Sequence, residues 1–336
     1  MAPVPRRRAA SRPPVASARS RRYGRRRLDP PRPDPFTRAA ATEPEAQGGT
    51  GVRLASFLHA GRATFGAVHD DDTLVDLGAA LAPQGIGTLR QYLAARAAGT
   101  LPAAADGPRL PAAEATWLPV IPDPGLILCV GLNYARHIDE MGNKRPDYPT
   151  LFSRTPRSQV GHGAPMVRPR VSQAFDYEGE LAVVIGRPGR HIERAAAMAH
   201  VAGFSCYNDG SVRDWQRHTS QFLPGKNFAG TGPFGPWMAP AEAADTILGG
   251  RLTTRLNGEV MQDTPIDDLI FDIPALIAYI STFTDLEPGD VIVTGTPGGV
   301  GVARTPPVFL QPGDRVEVEI TGIGTLSNPV VEEPAG

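Results

Sequence analysis

The chain has 336 residues, 41% of them hydrophobic, and a formal net charge of −1, which is enough apolar material to bury a core in one or two domains. No apolar run approaches the roughly 18–20 residues of a membrane-spanning helix, so we expect no membrane partner. The two cysteines, Cys129 and Cys206, are too few for a disulfide framework and are typical of buried thiols in a reducing cytoplasm.

The N-terminal segment differs in composition from the rest of the chain. Residues 1–50 contain twelve Arg, no Lys and four acidic residues, a balance of about +8, so the remainder carries about −9. Because the segment shows no hydrophobic periodicity, we predict a disordered Arg/Pro-rich leader over residues 1–51. An organelle transit peptide is the alternative, although the prolines oppose an amphipathic helix. The acidic remainder gives no reason to expect nucleic-acid binding.

A small N-terminal α+β domain is predicted over residues 52–118. The hydrophobic pattern predicts short strands at residues 52–58, 64–68 and 73–77, and a helix at residues 89–97. The stretch Leu101–Ala113 is rich in Pro, Ala and Gly, which is typical of a linker.

The segment Gly131–Gly142 follows a predicted buried strand and carries a candidate catalytic pair. If the segment is helical, His137 and Glu140 are neighbours at spacing i, i+3. Glu140 could then accept a hydrogen bond from one imidazole nitrogen, leaving the other nitrogen to deprotonate a water molecule. The same spacing also fits an ordinary surface pair.

Two glutamates one residue apart, Glu178 and Glu180, precede the apolar run Leu181–Ile185, which predicts a buried strand. Strand alternation places residues i and i+2 on one face, so both carboxylates point the same way. Like charges held this close must take up a proton or share a cation. Oxygen ligands favour Mg²⁺, Mn²⁺ or Ca²⁺ over zinc, although such pairs are also common on solvated strands.

Two further charged residues could complete this site. Asp209 stands where the predicted strand Val201–Tyr207 gives way to a short helix, so it is either a third metal ligand or a helix cap. Lys226 lies among aromatic residues and glycines in Phe222–Phe228, where it could stabilise negative charge on a substrate oxygen. A surface lysine on a Gly/Pro loop is the simpler alternative.

The larger C-terminal domain is predicted over residues 119–336 and is dominated by strands. Asn257-Gly258 predicts a type I′ turn between strands at residues 252–256 and 259–262. Helical spacing at residues 268–283 contains Pro274, which requires a break or a new first turn. Strands are also expected at residues 291–294 and 315–321, the second alternating with Val316, Val318 and Ile320 inward. Strands outnumber helices without regular alternation, so the predicted fold class is α+β, mainly β.

Five sequence blocks in this order resemble the fumarylacetoacetate hydrolase superfamily over residues 52–336. They begin at Gly131 (Gly-Leu-Asn-Tyr), Phe175 (Phe-Asp-Tyr-Glu-Gly-Glu-Leu), Tyr207 (Tyr-Asn-Asp), Pro224 (Pro-Gly-Lys-Asn-Phe) and Val293 (Val-Thr-Gly-Thr-Pro). The resemblance implies a β-sandwich-like roll beside the smaller N-terminal domain, and a homodimer.

The resemblance also implies a role for each candidate residue. Glu178, Glu180 and Asp209 would hold Mg²⁺ or Mn²⁺, with Ca²⁺ also possible. His137 and Glu140 would activate water, and Lys226 would stabilise charge on the substrate. The implied substrate contacts are Tyr134, Arg154, Arg213, Gln216 and Thr296. Asn133 occupies a region where some relatives supply a fourth acidic ligand, so only three protein ligands are expected.

The expected activity is metal-dependent hydrolysis of a C–C bond in a 1,3-diketone or an acylpyruvate-type keto acid, as in the catabolism of aromatic compounds. Water activated by His137 would attack the polarised carbonyl, and Lys226 would stabilise the leaving enolate. The alternative is an isomerase or decarboxylase of hydroxymuconate- or oxaloacetate-type substrates that uses the same enolate. A non-catalytic metal-binding protein with a basic tail is a third, weaker hypothesis.

Overall fold

The computed structural model describes residues 51–102, 106–135 and 145–335. Within them the chain is mostly β-structure with short helices, which confirms the α+β, mainly β class. The predicted leader, and with it most of the segment that carries His137 and Glu140, lies outside the described residues. Among the described residues, no helix has both the length and the apolar character needed to cross a membrane.

The strands are short and follow one another closely along the chain. They are β1 (Arg53–His59), β2 (Arg62–Val68), β3 (Thr73–Asp76), β4 (Arg109–Pro111), β5 (Thr116–Trp117), β6 (Ile127–Gly131), β7 (Thr150–Ser153), β8 (Gln159–Val160), β9 (Met166–Arg168), β10 (Phe175–Asp176), β11 (Gly179–Ile185), β12 (Val201–Asn208), β13 (Ser211–Val212), β14 (Gly232–Pro240), β15 (Arg251–Leu256), β16 (Glu259–Pro265), β17 (Val291–Val293), β18 (Arg315–Ile320) and β19 (Gly324–Glu332).

The α-helices begin and end where local signals place them. They are α1 (Leu77–Leu81), α2 (Leu89–Ala97), α3 (Arg213–Gln216), α4 (Leu223–Lys226), α5 (Ala244–Leu248) and α6 (Ile273–Ile280). Helix α2 has the predicted bounds and opens with a capping box between Thr88 and Gln91. In α6, Pro274 lies in the first turn behind the N-cap Asp272, so it starts the helix as predicted.

One large sheet runs through most of the described chain. Its order is β4-β3-β2-β1-β14-β12-β11-β17-β6-β7, with β5 paired to β1 and β8 to β14. Strand β1 joins β14 through the pairing of Leu54 with Met238, so the sheet continues across the domain boundary predicted at residue 118. The division into two domains stays a prediction. The segment predicted as a linker contains an edge strand, β4, which pairs with β3.

A second sheet has the order β16-β15-β18-β19-β9. The β15–β16 hairpin turns at Asn257 and Gly258, whose φ angles of 53° and 85° are both positive, as a type I′ turn requires. Strand β18 alternates as predicted, with Val316, Val318 and Ile320 buried. The hairpin and the inward face of β18 are therefore confirmed.

Strand β11 is buried on both faces. Leu181, Val183 and Ile185 pack into the core between the large sheet, the second sheet and α6. Ala182 and Val184 pack on the opposite side, in the core that includes α2. Two covered faces explain why this strand is an uninterrupted apolar run. A charged residue at the start of β11 is therefore held between well-packed layers. The free thiols of Cys129 and Cys206 are buried, as predicted.

Candidate active site

Strand register brings the three predicted metal ligands together. Strands β11 and β12 are antiparallel, and Gly179 pairs with Asn208. The beginning of β11 therefore lies beside the end of β12, and the Asp209 N–H donates to the Glu178 carbonyl at 2.8 Å. Carboxylate oxygens of Glu178, Glu180 and Asp209 lie within 4.8 Å of one another, and all three residues are buried. Asp209 caps no described helix; Val212 precedes α3 at the N-cap.

Lys226 is buried at the centre of this cluster, which excludes the surface-loop alternative. Its Nζ lies 2.7 Å from Glu178 Oε2 and 2.6 Å from Asp209 Oδ2, and the residue is 1% exposed. Burial lowers the pKa of Lys226, but the charges of Asp209 and Glu178 outweigh it and raise this pKa above its ordinary value. Lys226 therefore carries a full positive charge.

Arg213 neutralises the other side of Glu178. Its Nη1 lies 2.6 Å from Glu178 Oε1, and its Nε donates to Asp176 Oδ2 at 2.8 Å. Burial raises the pKa of Glu178, but Lys226 and Arg213 together lower it to about 2. Nη1 of Arg213 also donates to Gln216 Oε1 at 3.0 Å, one helical turn away. Glu178 is thus ionised and held on both oxygens.

Glu180 lacks such a basic partner among the described residues. Its Oε2 accepts the Gly295 N–H at 2.6 Å, where the chain leaves β17 beside β11. Burial, and then the charges of Asp209 and Glu178, raise the pKa of Glu180. This carboxylate can be relieved of its charge either by a proton or by a cation.

The residues fit a hard divalent cation. Among the described residues, four buried acids meet three buried bases here, so one negative charge is uncompensated when all of them are ionised; they are Asp176, Glu178, Glu180, Asp209, Arg154, Arg213 and Lys226. Three convergent carboxylates with excess negative charge are the donor set of Mg²⁺ and Mn²⁺ sites. Asn133 cannot readily add a fourth ligand, because its amide binds Phe271 and Thr294 through backbone groups.

Arg154 lies behind the carboxylates and not in the cavity, which differs from its predicted role at the substrate. Its Nη1 binds Asp209 Oδ1 and donates to the Gly210 carbonyl at 3.0 Å. Nη2 donates to Thr231 Oγ1 at 2.7 Å, and Nε to Ser158 Oγ at 3.2 Å. Each of the three guanidinium nitrogens donates to a protein atom, so Arg154 orients Asp209, one of the predicted metal ligands.

A cavity of about 300 Å³ opens over the acidic cluster. Among the predicted site residues, its lining contains Glu178, Glu180, Arg213, Gln216, Lys226 and Thr296. Apolar side chains complete the wall; they include Val130, Leu132, Phe152, Phe222, Val300 and Val302. The cavity thus has a charged floor and an apolar wall, which is typical of a site for a small polar ligand.

The remaining predicted residues lie elsewhere. Tyr134 is 1% exposed, is absent from the cavity lining, and its hydroxyl has no hydrogen-bond partner in the part of the chain that the structure describes. Burial, and then the charge of Glu180, raise the pKa of Tyr134. The roles predicted for His137 and Glu140 fall outside the described residues.

The sequence reasoning missed three residues that shape the site. Asp176 accepts the Gly301 and Val302 N–H groups as well as Arg213, so it ties the loop after β17 to the cluster. Gln262 accepts the Gly179 N–H and donates to Thr296 Oγ1. Arg217 lines the cavity one turn after Arg213. Asp176 lies inside a recognised block and Arg217 directly follows the predicted site residue Gln216, whereas nothing local marks Gln262.

The family described as "Fumarylacetoacetate (FAA) hydrolase C-terminal" matches residues 126–331. The chain belongs to this family. A human relative, oxaloacetate tautomerase FAHD2A, mitochondrial, is 44% identical over 230 residues, which cover 68% of this chain and 73% of the relative. Oxaloacetate tautomerase YisK of Bacillus subtilis is 42% identical over 214 residues, 62% of this chain and 71% of that protein.

Solved structures of the fumarylacetoacetate hydrolase family share the fold. A fumarylacetoacetate hydrolase from Exiguobacterium antarcticum is 35% identical with a TM-score of 0.74, and covers 84% of this chain and 100% of its own. A 2-hydroxyhepta-2,4-diene-1,7-dioate isomerase from Mycobacterium marinum is 29% identical with a TM-score of 0.69, over 85% and 100% of the two chains. The predicted family and fold are therefore confirmed.

Proposed function

We propose that this protein is a metal-dependent tautomerase of oxaloacetate or a closely related 2-oxo dicarboxylate. The single observation that carries the proposal is the cavity floor, where Glu178, Glu180 and Lys226 combine a divalent-cation donor set with a fully charged lysine. The human and bacterial relatives named oxaloacetate tautomerase support this choice of substrate. Of the activities predicted from the sequence, it lies closest to the alternative that forms an enolate without hydrolysis.

The described lining favours proton transfer over covalent catalysis. It contains no Ser, Cys or His, and its one hydroxyl, Thr296 Oγ1, already donates to the Gly179 carbonyl at 3.0 Å. A Mg²⁺ or Mn²⁺ ion held by Glu178, Glu180 and Asp209 would supply Lewis acidity, which makes a proton next to a ketone easier to remove. The chain's own residues must then hold the substrate and move the proton.

Lys226 is placed to stabilise the charge that develops on the 2-oxo oxygen. Two of its N–H groups are held by carboxylates, whereas its third contact, to the Asp209 carbonyl, is longer at 3.3 Å and can be exchanged for a substrate oxygen. Because the group is buried and already oriented, it needs little reorganisation when the enolate forms. Phe152, with its ring centroid 5.0 Å from Nζ, shields this position from water.

The sequence predicts that His137, oriented by Glu140, acts as a base toward water; here we assign the proton transfers of the substrate to the same pair. His137 would take one proton from C3 of the keto acid, and the enolate oxygen would then receive a proton, so that keto and enol forms interconvert with no net gain or loss. The aromatic wall excludes bulk water that would otherwise compete for these protons.

The test is the rate of keto–enol exchange of oxaloacetate, followed by the ultraviolet absorbance of the enol. We expect the wild type with Mn²⁺ to exceed the buffer rate, excess chelator to abolish the difference, and His137→Ala to reduce kcat by about 100-fold or more. No acceleration by the wild type would overturn the proposed function. Full activity in His137→Ala would overturn the role of His137 alone.

Hydrolysis of a C–C bond, the activity first predicted, remains the second candidate because the neighbour from Exiguobacterium antarcticum is named a fumarylacetoacetate hydrolase. The same metal site and His137 could activate water against a 1,3-diketone or an acylpyruvate. Loss of acylpyruvate absorbance with release of pyruvate would identify this activity. Release of carbon dioxide from oxaloacetate would instead identify a decarboxylase.

The assembly and the cellular location also remain proposals. We propose a homodimer, as the family resemblance implies; light scattering coupled to gel filtration should give twice the 35.7 kDa chain mass. A cytoplasmic location remains the proposal drawn from the cysteine content, and fractionation of the source cells would test it. A role in aromatic catabolism also remains a proposal. Turnover of a ring-cleavage product by the purified protein would support it.

A further inference from the structure

A second arginine stands in the cavity one helical turn beyond Arg213. Arg213 opens α3 and Arg217 caps it, so their spacing of i, i+4 puts both on one face of the helix, and both line the cavity. Arg213 is buried at the floor, whereas Arg217 is exposed. The two arginine side chains of this helix therefore lead from the carboxylate cluster toward the solvent.

The two arginines differ in their partners. Arg213 is occupied by Asp176, Glu178 and Gln216. Arg217 binds through its backbone N–H to the Asp214 carbonyl at 3.1 Å, and within residues 51–102, 106–135 and 145–335 its guanidinium has no hydrogen bond or ion pair. Three described residues of the lining are cationic: Arg213, Arg217 and Lys226. Arg213 and Lys226 are paired with carboxylates, whereas Arg217 has no acidic partner among the described residues.

Most of the remaining described lining is apolar. Phe152, Phe222, Val302 and Ala303 present apolar surface to the cavity. A carboxylate placed against them would lose its hydration without a compensating partner, which is costly. A guanidinium with its donors free is the group that binds a carboxylate with two parallel hydrogen bonds.

We propose that Arg217 binds the carboxylate of the substrate that lies farthest from the reacting 2-oxo acid, and so makes the site selective for dicarboxylates. This inference rests on the proposed function, in which the 2-oxo acid end lies at the metal ligands and Lys226. Arg213 contacts Glu178 at that end of the cavity. Because the Cβ atoms of residues i and i+4 on a helix lie about 5–6 Å apart, the step from Arg213 to Arg217 suits the length of a four-carbon diacid. Arg217 acts on specificity and leaves the proton transfers to other groups.

The experiment compares oxaloacetate with 2-oxobutyrate, in which a methyl group replaces the distal carboxylate. Exchange of the C3 protons with deuterated water, followed by NMR, measures enolisation of both acids. In Arg217→Gln we expect KM for oxaloacetate to rise by about 10- to 100-fold, as loss of charged hydrogen bonds implies, with kcat changed less than about threefold. The kcat/KM for 2-oxobutyrate should stay at its wild-type value.

Two further variants sharpen the comparison. Arg217→Lys should recover part of the lost KM, because it keeps the charge and loses the fork. Arg187→Gln is the matched control, since Arg187 is also exposed and lies outside the cavity lining. An unchanged KM for oxaloacetate in Arg217→Gln, or equal losses with both acids, would overturn the inference.

The selectivity for dicarboxylates can also be measured by ligand binding, which does not depend on the proposed tautomerase activity. If the wild type enolises neither acid, calorimetry with malate and 2-hydroxybutyrate, which differ by the same carboxylate but have no ketone, still measures the selectivity. Tighter binding of malate by the wild type, lost in Arg217→Gln, would support the inference. Equal binding of both ligands by the wild type would overturn it.

Discussion

At the scale of single residues, the buried carboxylates of the site require partners that compensate their negative charges. Separated from water, each carboxylate must find a cation or take up a proton. Glu178 is held by Lys226 and Arg213, and Asp209 by Lys226 and Arg154. From the described part of the chain, the Glu180 carboxylate receives only the Gly295 N–H. The uncompensated negative charge therefore lies where the carboxylate of Glu180 approaches those of Glu178 and Asp209. A cation would be most strongly bound at this position.

Arg154 gives the first prediction at this scale. Replacing it with Lys keeps one charge but removes the contacts with Gly210, Thr231 and Ser158 that fix its direction. Because the group then holds Asp209 less firmly, we expect Mn²⁺ affinity to fall by about 10-fold, the size of effect usual for groups that orient metal ligands. Titration followed by electron paramagnetic resonance measures the affinity.

Calorimetric unfolding of the same Arg154→Lys protein shows whether the fold is intact. A variant that unfolds at the wild-type temperature and binds Mn²⁺ as tightly as the wild type would remove the positioning role from Arg154.

At the scale of elements, the site lies where strand ends and packed layers meet. Gly179 separates the two glutamates at the beginning of β11, and it faces the second sheet. A Cβ atom built on Gly179 would lie 2.0 Å from Thr254 Oγ1, and 3.3 Å from Gln262 Oε1 and Leu252 Cδ2. The absence of a side chain therefore permits the close approach of β11 and β15.

Gly179→Ala should separate these layers and move both neighbouring carboxylates. We expect the free energy of unfolding to fall by about 1–3 kcal/mol, as for overpacked cores, and Mn²⁺ binding to weaken with it. Urea unfolding and Mn²⁺ titration measure the two effects. Gly87→Ala is the control, because its Cβ would meet only Gln91 Oε1 at 3.8 Å. Wild-type stability in Gly179→Ala would contradict this account of the packing.

His162 gives a pH-dependent prediction for β19. Its Nδ1 accepts the Ser327 N–H at 3.2 Å, and burial, followed by the charge of Arg315, lowers the pKa of His162 below its usual 6.5. The unfolded chain therefore binds a proton more readily than the folded one. The stability that this group contributes is complete above about pH 6.5 and is lost as the pH falls toward the lower folded-state pKa.

In His162→Asn, the amide oxygen replaces the imidazole Nδ1 as an acceptor for the Ser327 N–H, and it is not protonated in this range. We expect the urea midpoint of the wild type to fall more between pH 7.5 and pH 5.5 than that of the variant. The difference between the two proteins isolates His162 from other titrating groups. Equal falls in both midpoints would show that His162 contributes nothing to the pH dependence.

Local patterns predicted some elements well and the arrangement of the site only in part. Asn257-Gly258 and the spacing in Leu89–Ala97 act through neighbouring residues, so the hairpin and α2 follow from the sequence directly. The contact of Arg154 with Asp209 joins two distant strand ends, and no local pattern reports such a pairing. The family resemblance implied a substrate contact for Arg154, whereas its buried side chain lies behind the carboxylates.

At the scale of the whole molecule, the large sheet connects the site to the N-terminal strands. Strand β14 pairs with both β12, which leads into Asp209, and β1, which belongs to the predicted N-terminal domain. Because both faces of β11 are covered by core residues, the beginning of this strand is fixed between packed layers. The predicted metal ligands are therefore positioned by the core of the protein and not by a local loop, which favours a preorganised site.

The central claim is that Glu178, Glu180 and Asp209 together hold one divalent ion. The most direct test counts Mn²⁺ bound per chain by electron paramagnetic resonance in the wild type and in Glu180→Gln, with the exposed Glu193→Gln as control. We predict one ion per chain in the wild type and the control, and an affinity at least about 100-fold lower in Glu180→Gln. Undiminished binding of one Mn²⁺ in Glu180→Gln, or none in the wild type, would contradict the account.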